Sequence, residues 1–445
     1  MDTPVWAAVS ETVEALRMHP KIKVSYVFQF DSRVKGIQDQ SCKISIDLIK
    51  SPENKLFSIT VGLAHTIFVV FLTFRKSQIS FVNAVLRNID REGRPRLEST
   101  SILDNLDPWL ADQWLQQYGD ETTKIIVEAA MNQSPVFITV NHLISKHLND
   151  VSEQELESSG DDKESERLVQ IKDIFTTSND EGDIQSAELL PVGSIRVPES
   201  FSGAVSKWPL YEEGAWWVQD VSATLPAIAL ASSLVKENGL KHLDDMYVVD
   251  LCSAPGGKTA QLCSMGFGRV DAVEFSSRRS RSLHQNLERL GMDEICNVVV
   301  ADGREFVPET STGPAQGVLV DAPCSATGVG SRRPDVLRKS IDIKDLVSIQ
   351  RELVVHAVDN ILEVGGILVY ATCSLLKQEG EDQIKWLVSE RPMLETVPFS
   401  TGEIPGFDDC IDENGWLRVI PGVLPGSLQY CDGFFVARLR KNQTT

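Results

Sequence analysis

Two cysteines and one aspartate lie in short polar segments that each follow an apolar run of the chain. Asp321 and Cys324 belong to DAPCSATG after GVLV, and Cys373 belongs to TCS after GILVYA. A thiolate can add to carbon 6 of a cytosine and turn carbon 5 into a nucleophile, while a carboxyl group at N3 stabilises the developing charge. A second thiol can assist release of the product. These three residues therefore predict covalent catalysis on a pyrimidine.

The residues alone do not decide which thiol attacks. A lone cysteine is most often a small buried apolar residue, but a pair in polar turns at neighbouring strand ends favours reactive thiols. A disulfide between Cys324 and Cys373 is disfavoured in a reducing compartment. The chain has eight cysteines and no CxxC pair, which excludes a disulfide-stapled scaffold and a zinc ribbon.

A glycine-rich turn after an apolar run predicts a nucleoside site. The turn consists of Cys252, Ser253, Ala254, Pro255, Gly256, Gly257 and Lys258. It is not a GxxxxGK[ST] phosphate loop, because Cys252 stands where that pattern requires glycine. Glu274 and Asp302 end the next two runs, where acids can accept ribose hydroxyls and read an adenine amino group. A structural turn alone would also explain the glycines, but the three elements in order favour S-adenosylmethionine over NAD or ATP.

These residues need a scaffold that brings strand ends together. Five short apolar runs alternate with helix-length segments: Met246–Leu251, Arg269–Glu274, Asn297–Asp302, Gly317–Ala322 and Gly366–Ala371. Before the last run, Leu346, Ile349, Leu353, Ala357 and Ile361 recur at helical spacing. The pattern predicts an α/β fold with a doubly wound, mostly parallel sheet that binds ligands at the carboxyl ends of its strands.

The bulk composition is that of a folded, acidic chain. The 445 residues include 43 Lys and Arg and 63 Asp and Glu, a net charge of −20. This balance excludes a general nucleic-acid coat but leaves room for a local basic site. The stretch 150–183 holds twelve acidic and three basic residues, −9 of the total. Such a run predicts a solvated, flexible linker.

The motifs resemble a known enzyme family. DLCSAPGGKT, DAPCSATGVGSRRPD and YATCSLLKQEGE are similar to the RNA cytosine-5 methyltransferases of the NOL/NOP/Sun family. Within that family they resemble the RsmB/Sun type, which acts on bacterial small-subunit (16S) ribosomal RNA. Further similar segments are FVNAVLRNIDREGRP, LDPWLADQWLQQYG, WWVQDVSATLP, NLERLGM and DGFFVARLRK. The resemblance covers about residues 81–441, interrupted by the acidic stretch.

The resemblance implies a role for each site residue. Cys373 is the expected nucleophile, Cys324 assists product release and Asp321 contacts the base at N3. The S-adenosylmethionine site is expected from residues 252–258 with Glu274, Asp302 and Asp321. The family implies a Rossmann-like methyltransferase domain. We expect no bound metal and a monomer. Glu274 stands where Asp is more usual, and Gly380 stands where Asn is usual.

The N-terminal part departs most from the family. We predict a helical, NusB-like RNA-binding region over 1–141, an acidic linker over 142–190 and the methyltransferase domain over 191–445. The NusB-like region is expected to be truncated, because 21–80 has no counterpart in the family. We interpret this segment as a truncated or misjoined gene model. Leu56–Phe74 is uncharged over nineteen residues, long enough to span a membrane, but its His, Ser and Thr residues argue against a spanning helix.

Local basic residues predict an RNA track on the acidic body. Arg332 and Arg333 follow the Cys324 loop, and Arg279 lies on the segment after Glu274. They could pair with phosphates while the target base turns into the pocket; a solvated helix face is the alternative. Ribosomal RNA is the expected partner, with transfer RNA, a non-catalytic ribosome-assembly factor and a membrane-anchored enzyme as rival interpretations. We expect an intracellular protein without membrane association, cytoplasmic, or organellar if the source is eukaryotic.

Overall fold

Two units make up the chain, Met1–Asn105 and Leu106–Thr445. The structure is a computed structural model that describes residues 43–50, 55–63, 66–73, 101–143, 160–178, 184–201, 203–238 and 243–443. The NusB-like similarity at 4–13 and the segment 81–95 lie outside these residues. The domain division given above stays a prediction.

The smaller unit contains an antiparallel three-stranded sheet. Its strands are β1 (Lys43–Lys50), β2 (Lys55–Leu63) and β3 (Thr66–Thr73), paired in that order. The predicted helical character of 1–141 is therefore wrong for this stretch, whose many β-branched and aromatic residues favour strands. The uncharged run is divided between β2 and β3. Among the described residues, no helix has the length and apolar character needed to cross a membrane.

The larger unit alternates strands and helices. Its described helices are α1 (Pro108–Met131), α2 (Gly160–Ile174), α3 (Val221–Asn238), α4 (Gly257–Ser264), α5 (Ser277–Arg289), α6 (Ile343–His356) and α7 (Glu381–Glu390). Its described strands are β4 (Val136–Val140), β5 (Thr177–Ser178), β6 (Ile184–Gln185), β7 (Glu188–Leu189), β8 (Ile195–Val197), β9 (Trp216–Val218), β10 (Tyr247–Leu251), β11 (Arg269–Glu274), β12 (Cys296–Val300), β13 (Ala315–Asp321), β14 (Leu362–Thr372), β15 (Leu394–Thr396), β16 (Leu417–Val419) and β17 (Phe434–Lys441).

An eight-stranded sheet forms the centre of this unit. Its order is β12-β11-β10-β13-β14-β17-β15, with β16 beside β17. The first five strands are parallel to their neighbours, and β17 is antiparallel to β14. Helix α4 connects β10 to β11, α5 connects β11 to β12, and α6 lies between β13 and β14. This topology confirms the predicted doubly wound, mostly parallel fold.

Alternating residues of the sheet fill two cores, one on each face. On β14, Ile367 and Val369 join a core with α3, α4 and α5. Leu368 and Tyr370 join a second core with α6 and α7. Successive strand residues point to opposite faces, so both faces are covered and ligands can enter only at the strand ends.

Part of the predicted acidic linker folds onto a second sheet. Strands β7, β8, β4 and β9 form this sheet, and Ile171 and Phe175 of the α2 segment are fully buried against it. The Phe175 ring lies 5.4 Å from the Trp216 ring. The linker prediction is therefore wrong for this segment. Two apolar residues four apart share one helix face and anchor it, while Glu166 and Asp173 stay exposed.

Helix α1 contacts the segment that follows Cys373. The Asp107 side chain caps the helix by accepting from Trp109 N at 3.0 Å. Further along, Tyr118 donates its hydroxyl to the Leu375 carbonyl at 2.5 Å. Helix α1 thus supports a loop of the methyltransferase fold and belongs to the same unit.

Candidate active site

The two predicted catalytic loops meet at the carboxyl ends of β13 and β14. Asp321 is the last residue of β13 and is paired in register with Ala371 of β14. Cys324 and Cys373 follow these ends, and their Sγ atoms lie 3.5 Å apart. Gly328 N donates to the Cys373 carbonyl at 2.9 Å and ties one loop to the other. The sheet therefore brings together the three residues that the sequence selects.

Lys258 contacts Asp321 rather than solvent. Its Nζ donates to Asp321 Oδ2 at 2.8 Å and lies 5.0 Å from the centre of the Phe434 ring. Burial lowers the pKa of Lys258, but the charge and hydrogen bond of Asp321, with a smaller contribution from a Cys373 thiolate, raise it by more. Lys258 is therefore a charged ammonium group fixed by Asp321 beside the two cysteine loops. Its place in the glycine-rich turn did not predict this contact.

The turn after β10 has the backbone that its glycines predict. Cys252 has φ +64° and Gly256 has φ +107°. A Cβ at Gly256 would lie 2.5 Å from Leu283 Cδ1, so only glycine allows α5 to pack this closely. Burial, with the charges of nearby carboxylates, raises the pKa of the Cys252 thiol to about 12. Cys252 therefore stays neutral.

Two buried polar atoms, one at the end of β10 and one in this turn, lack a partner in the part of the chain that the structure describes. Within the described residues, neither Asp250 Oδ1 nor Ser253 Oγ has a hydrogen-bond partner. The other oxygen of Asp250 accepts from Thr259 Oγ1 at 2.6 Å. Buried polar atoms are normally paired, so unpaired atoms next to a glycine-rich turn fit a polar cofactor such as a nucleoside.

Glu274 ends β11 and faces the turn. Its carboxylate accepts from Ala254 N at 3.3 Å and from Ser276 N at 2.8 Å. The Arg279 guanidinium lies 3.5 Å from the same carboxylate and also donates to the Ala254 carbonyl. Arg279, predicted as an RNA contact, thus lies beside Glu274, the residue expected to bind the ribose.

Asp302 follows β12 and is held by Arg304. The backbone N and Nε of Arg304 both donate to Asp302 Oδ1 at 3.0 Å. The hydrogen bond from Arg304 is the main cause that lowers the pKa of Asp302. Asp302 is therefore ionised and fixed at the strand end where the sequence places an adenine-reading acid.

The adjacent arginines after the Cys324 loop differ in environment. Arg332 bridges Asp220 at 2.5 Å and Asp432 at 3.2 Å, and both carboxylates are buried. This geometry gives Arg332 a structural role, and its RNA contact stays a prediction. Arg333 is 60% exposed and pairs with Asp335 at 3.1 Å, so it remains available to a phosphate.

The surroundings of the two thiols are electrically different. The pKa of Cys324 is raised well above its ordinary value, first by its hydrogen bond with Cys373, then by burial and by the charges of Cys373 and Glu379. Two cations, Lys258 and Arg333, lie near Cys373. The pKa of Arg333 is raised mainly by its hydrogen bond to Asp335 and in small part by the charge of a Cys373 thiolate. These contacts therefore favour the protonated thiol at Cys324.

Comparisons with known proteins agree with this geometry. Residues 238–440 match the family model of the 16S rRNA methyltransferase RsmB/F. Over 393 residues the chain is 32% identical to ribosomal RNA small subunit methyltransferase B of Klebsiella pneumoniae subsp. pneumoniae, covering 86% of this chain and 77% of that protein. The chain belongs to the RsmB/F family. This confirms the resemblance seen in the motifs.

Other relatives of this RsmB/F family member match a smaller part. Ribosomal RNA small subunit methyltransferase F of Cronobacter sakazakii is 34% identical over 235 residues, 51% of this chain. The chain spans only 45% of that protein's length. A methyltransferase homolog protein from Pyrococcus horikoshii, known as a crystal structure, has the same fold, with a TM-score of 0.53, 24% identity and coverage of 77% of this chain and 99% of that one.

Sequence reasoning about this RsmB/F-type site missed two buried charged residues. Glu379 is fully buried behind the two cysteine loops. Arg418 of β16 donates to the Ser374 carbonyl at 2.5 Å and to Glu381 at 2.6 Å. Glu379 lies inside the YATCSLLKQEGE motif, which was the available signal; nothing in the sequence around Arg418 marks it. Among the described residues, no cluster of His, Cys, Asp or Glu could hold a metal ion.

Proposed function

We propose that the protein transfers a methyl group from S-adenosylmethionine to carbon 5 of a cytosine in RNA, through a covalent bond between Cys373 and carbon 6. The observation that carries the proposal is the 3.5 Å separation of Cys324 and Cys373 Sγ beside the Lys258–Asp321 ion pair. Two thiols and one carboxylate on an ammonium are the groups that this chemistry requires.

The turn after β10 supports binding of the methyl donor. Residues 252–258 would hold it with their backbone amides, helped by the unpaired Ser253 Oγ. Glu274 would bind the ribose, and Asp302, fixed by Arg304, would face the adenine. When bound there, S-adenosylmethionine supplies an electrophilic sulfonium methyl group.

Asp321 and Lys258 would activate the base. Thiolate addition at carbon 6 places negative charge on the N3 and O2 side of the ring. Asp321 in its acid form would donate a hydrogen bond to N3, and the Lys258 ammonium, 2.8 Å from Asp321 Oδ2, would offset the remaining negative charge. Fixed charges aimed at a site where charge develops are among the strongest contributions to catalysis.

Cys324 would act in the last stage of the reaction. After methylation, carbon 5 loses its proton to a base and the bond between Cys373 and carbon 6 breaks, with the electron pair returning to sulfur. The Cys324 thiol, 3.5 Å away, can donate a hydrogen bond to the leaving thiolate. This role matches the raised pKa of Cys324, because only the protonated thiol can donate.

The RNA would approach past Arg333, which is exposed beside the two thiols. We assign small-subunit ribosomal RNA of the 16S type as the substrate, because the relatives that match most of the chain are named for it. The target base would leave its stack to reach the pocket.

A methyl-transfer assay tests the proposal. Wild type, Cys373→Ala and Cys324→Ala are incubated with labelled S-adenosylmethionine and deproteinised small-subunit ribosomal RNA. We expect 5-methylcytosine from wild type, none from Cys373→Ala, and a denaturation-resistant RNA adduct with Cys324→Ala.

The buried Cys410 provides a matched control, and Cys410→Ala should retain transfer. Methylation that survives in Cys373→Ala would contradict the covalent route. Transfer by wild type to transfer RNA alone would replace the substrate, and no transfer to either RNA would favour a binding factor.

A further inference from the structure

A fully buried carboxylate lies directly behind the two cysteine loops. Glu379 is 0% exposed and stands in the segment between β14 and α7. Because no part of it reaches the surface, it cannot touch RNA or a cofactor. Its contacts with the protein must therefore explain why a charged residue is kept there.

One set of contacts reaches the residue after Cys324. Ser325 N donates to Glu379 Oε1 at 2.9 Å, and Ser325 Oγ donates to Oε2 at 2.5 Å. A backbone and a side-chain donor from the same residue fix both the position and the orientation of the loop. Gln350 of α6 adds a donor to Oε1 at 3.0 Å.

A second set of contacts reaches both neighbours of Cys373. Ser374 Oγ donates to Glu379 Oε2 at 2.6 Å. On the other side, Thr372 Oγ1 donates to the Glu379 carbonyl at 3.3 Å. The same oxygen, Oε2, therefore holds Ser325 and Ser374, whose hydroxyls are themselves 3.0 Å apart.

We propose that Glu379 is the positioning residue of the reaction: its carboxylate ties the Cys324 loop to the Cys373 loop and sets the distance between the two thiols. The inference rests on the proposed function, since it assigns a purpose to the thiol spacing. The loops leave different strands, and Gly328 N already joins them at the Cys373 carbonyl. Glu379 adds side-chain bonds to Ser325 and Ser374, the residues directly after the two cysteines.

The charge of Glu379 adds a second effect. It is one of the causes that raise the pKa of Cys324, after the hydrogen bond with Cys373, burial and the charge of Cys373. Lys258 and Arg333 lie on the Cys373 side instead. The negative charge of Glu379 therefore favours the protonated thiol at Cys324.

Two substitutions separate the effect of Glu379 on the position of the loops from the effect of its charge. Glu379→Gln keeps hydrogen bonding, because its oxygen can accept from Ser325 N and Gln350 while its NH2 donates to the two serine hydroxyls. Glu379→Ala removes both position and charge. Glu403→Gln is the matched control, because Glu403 is also a buried carboxylate, paired with Arg438 at 2.5 Å, and has no bond to either cysteine loop.

Thiol measurements test the inference without RNA or cofactor. We expect dibromobimane, a short bifunctional thiol reagent, to bridge Cys324 and Cys373 in wild type, Glu379→Gln and Glu403→Gln, and to bridge them poorly in Glu379→Ala. Alkylation of Cys324, followed by mass spectrometry over a pH series, should begin at lower pH in Glu379→Gln than in wild type and Glu403→Gln.

Turnover completes the test. Methyl transfer by Glu379→Ala should fall on the order of 100-fold, as displacement of reacting groups by an ångström does, and Glu379→Gln should recover most of it with little change in KM. Normal bridging and normal turnover in Glu379→Ala would overturn the inference. If Glu379→Ala does not fold, Ser374→Ala, which removes the bond from the Cys373 loop to Oε2, takes its place, and normal bridging with normal turnover in that variant overturns the inference. If wild type is bridged normally but transfers no methyl group, the proposed function is contradicted. The positioning role of Glu379 is not, because the bridging assay needs neither RNA nor cofactor.

Discussion

Lys258 Nζ and Asp321 Oδ2 form a 2.8 Å ion pair between the glycine-rich turn after β10 and the end of β13. The two side chains are mostly buried, with 12% and 28% of their surfaces exposed. One residue comes from the predicted cofactor turn and the other from the predicted catalytic loop. In the proposed function, the pair would couple methyl-donor binding to base activation.

Lys258→Met should lower kcat more than it raises KM for S-adenosylmethionine. Loss of one fixed charge at a developing anion costs about 100- to 1,000-fold in rate, whereas a residue that only binds the cofactor would change KM. Steady-state kinetics with saturating RNA distinguish these results. Lys124→Met, at an exposed position on α1, should leave both constants unchanged; a change confined to KM in Lys258→Met would assign Lys258 to the cofactor alone.

Asp250 should make the protein less stable as pH rises from about 4 to about 7. Burial, only partly offset by the hydrogen bond from Thr259 and reinforced by the charge of Asp321, raises the pKa of Asp250 to about 7. An unfolded Asp ionises near pH ~4, so across this range the unfolded chain releases a proton that the native protein keeps. Each pH unit then costs about 1.4 kcal/mol of stability, or about 4 kcal/mol in total.

Asp250→Asn removes this dependence, because its amide oxygen still accepts from Thr259 and nothing titrates. Urea unfolding between pH 4.5 and 7.5 measures the slope for wild type and for the variant. Glu128→Gln, an exposed site on α1, serves as the control and should keep the wild-type slope. Equal slopes for wild type and Asp250→Asn would show that Asp250 ionises normally.

The strand ends of the site could be predicted because β-sheet geometry follows from local pattern. Runs of β-branched residues separated by helices allow a parallel sheet, and parallel strands end at one edge. Cys324 and Cys373 therefore had to lie near each other once their strands were recognised as neighbours. Their order in space, with β13 beside β14, follows the order in the chain.

Side-chain partners could not be predicted because they depend on packing between distant segments. Nothing near Arg332 in the sequence reveals that Asp220 and Asp432 enclose it. Similarly, the acidic composition around α2 hides the two positions, Ile171 and Phe175, that bury it. Average composition describes the exposed face of a segment, whereas a few apolar residues decide whether it packs.

The same substitution should affect different properties at Arg332 and Arg333. Arg333→Gln should weaken RNA binding and reduce the salt dependence of binding by about one phosphate contact, with unchanged stability. Arg332→Gln should lower the free energy of unfolding by about 3–5 kcal/mol, because it leaves two buried carboxylates without their cation. Filter binding over a salt series and urea unfolding measure the two effects. An RNA defect in a fully stable Arg332→Gln protein would support the RNA contact predicted from the sequence.

Gly380 should tolerate no side chain, although Asn is usual at this position in the family. A Cβ there would lie 2.9 Å from Phe435 Cγ and would also collide with the Arg418 guanidinium. Arg418 cannot move away freely, since it bonds to Glu381 and to the carbonyl of Ser374, the residue after Cys373. Gly380→Ala should therefore cost about 1–3 kcal/mol of stability through overpacking and should slow methyl transfer by shifting the Cys373 loop.

Gly257→Ala is the matched stability control for Gly380→Ala. A Cβ at Gly257 would meet only Gln219, at an ordinary 3.5 Å, so the free energy of unfolding should change by no more than about 1 kcal/mol. Urea unfolding of both variants gives the comparison. Gly380→Ala that is as stable as wild type would show that Arg418 leaves room for a side chain at position 380. The bond from Arg418 to Ser374 would then not explain why glycine stands here instead of asparagine.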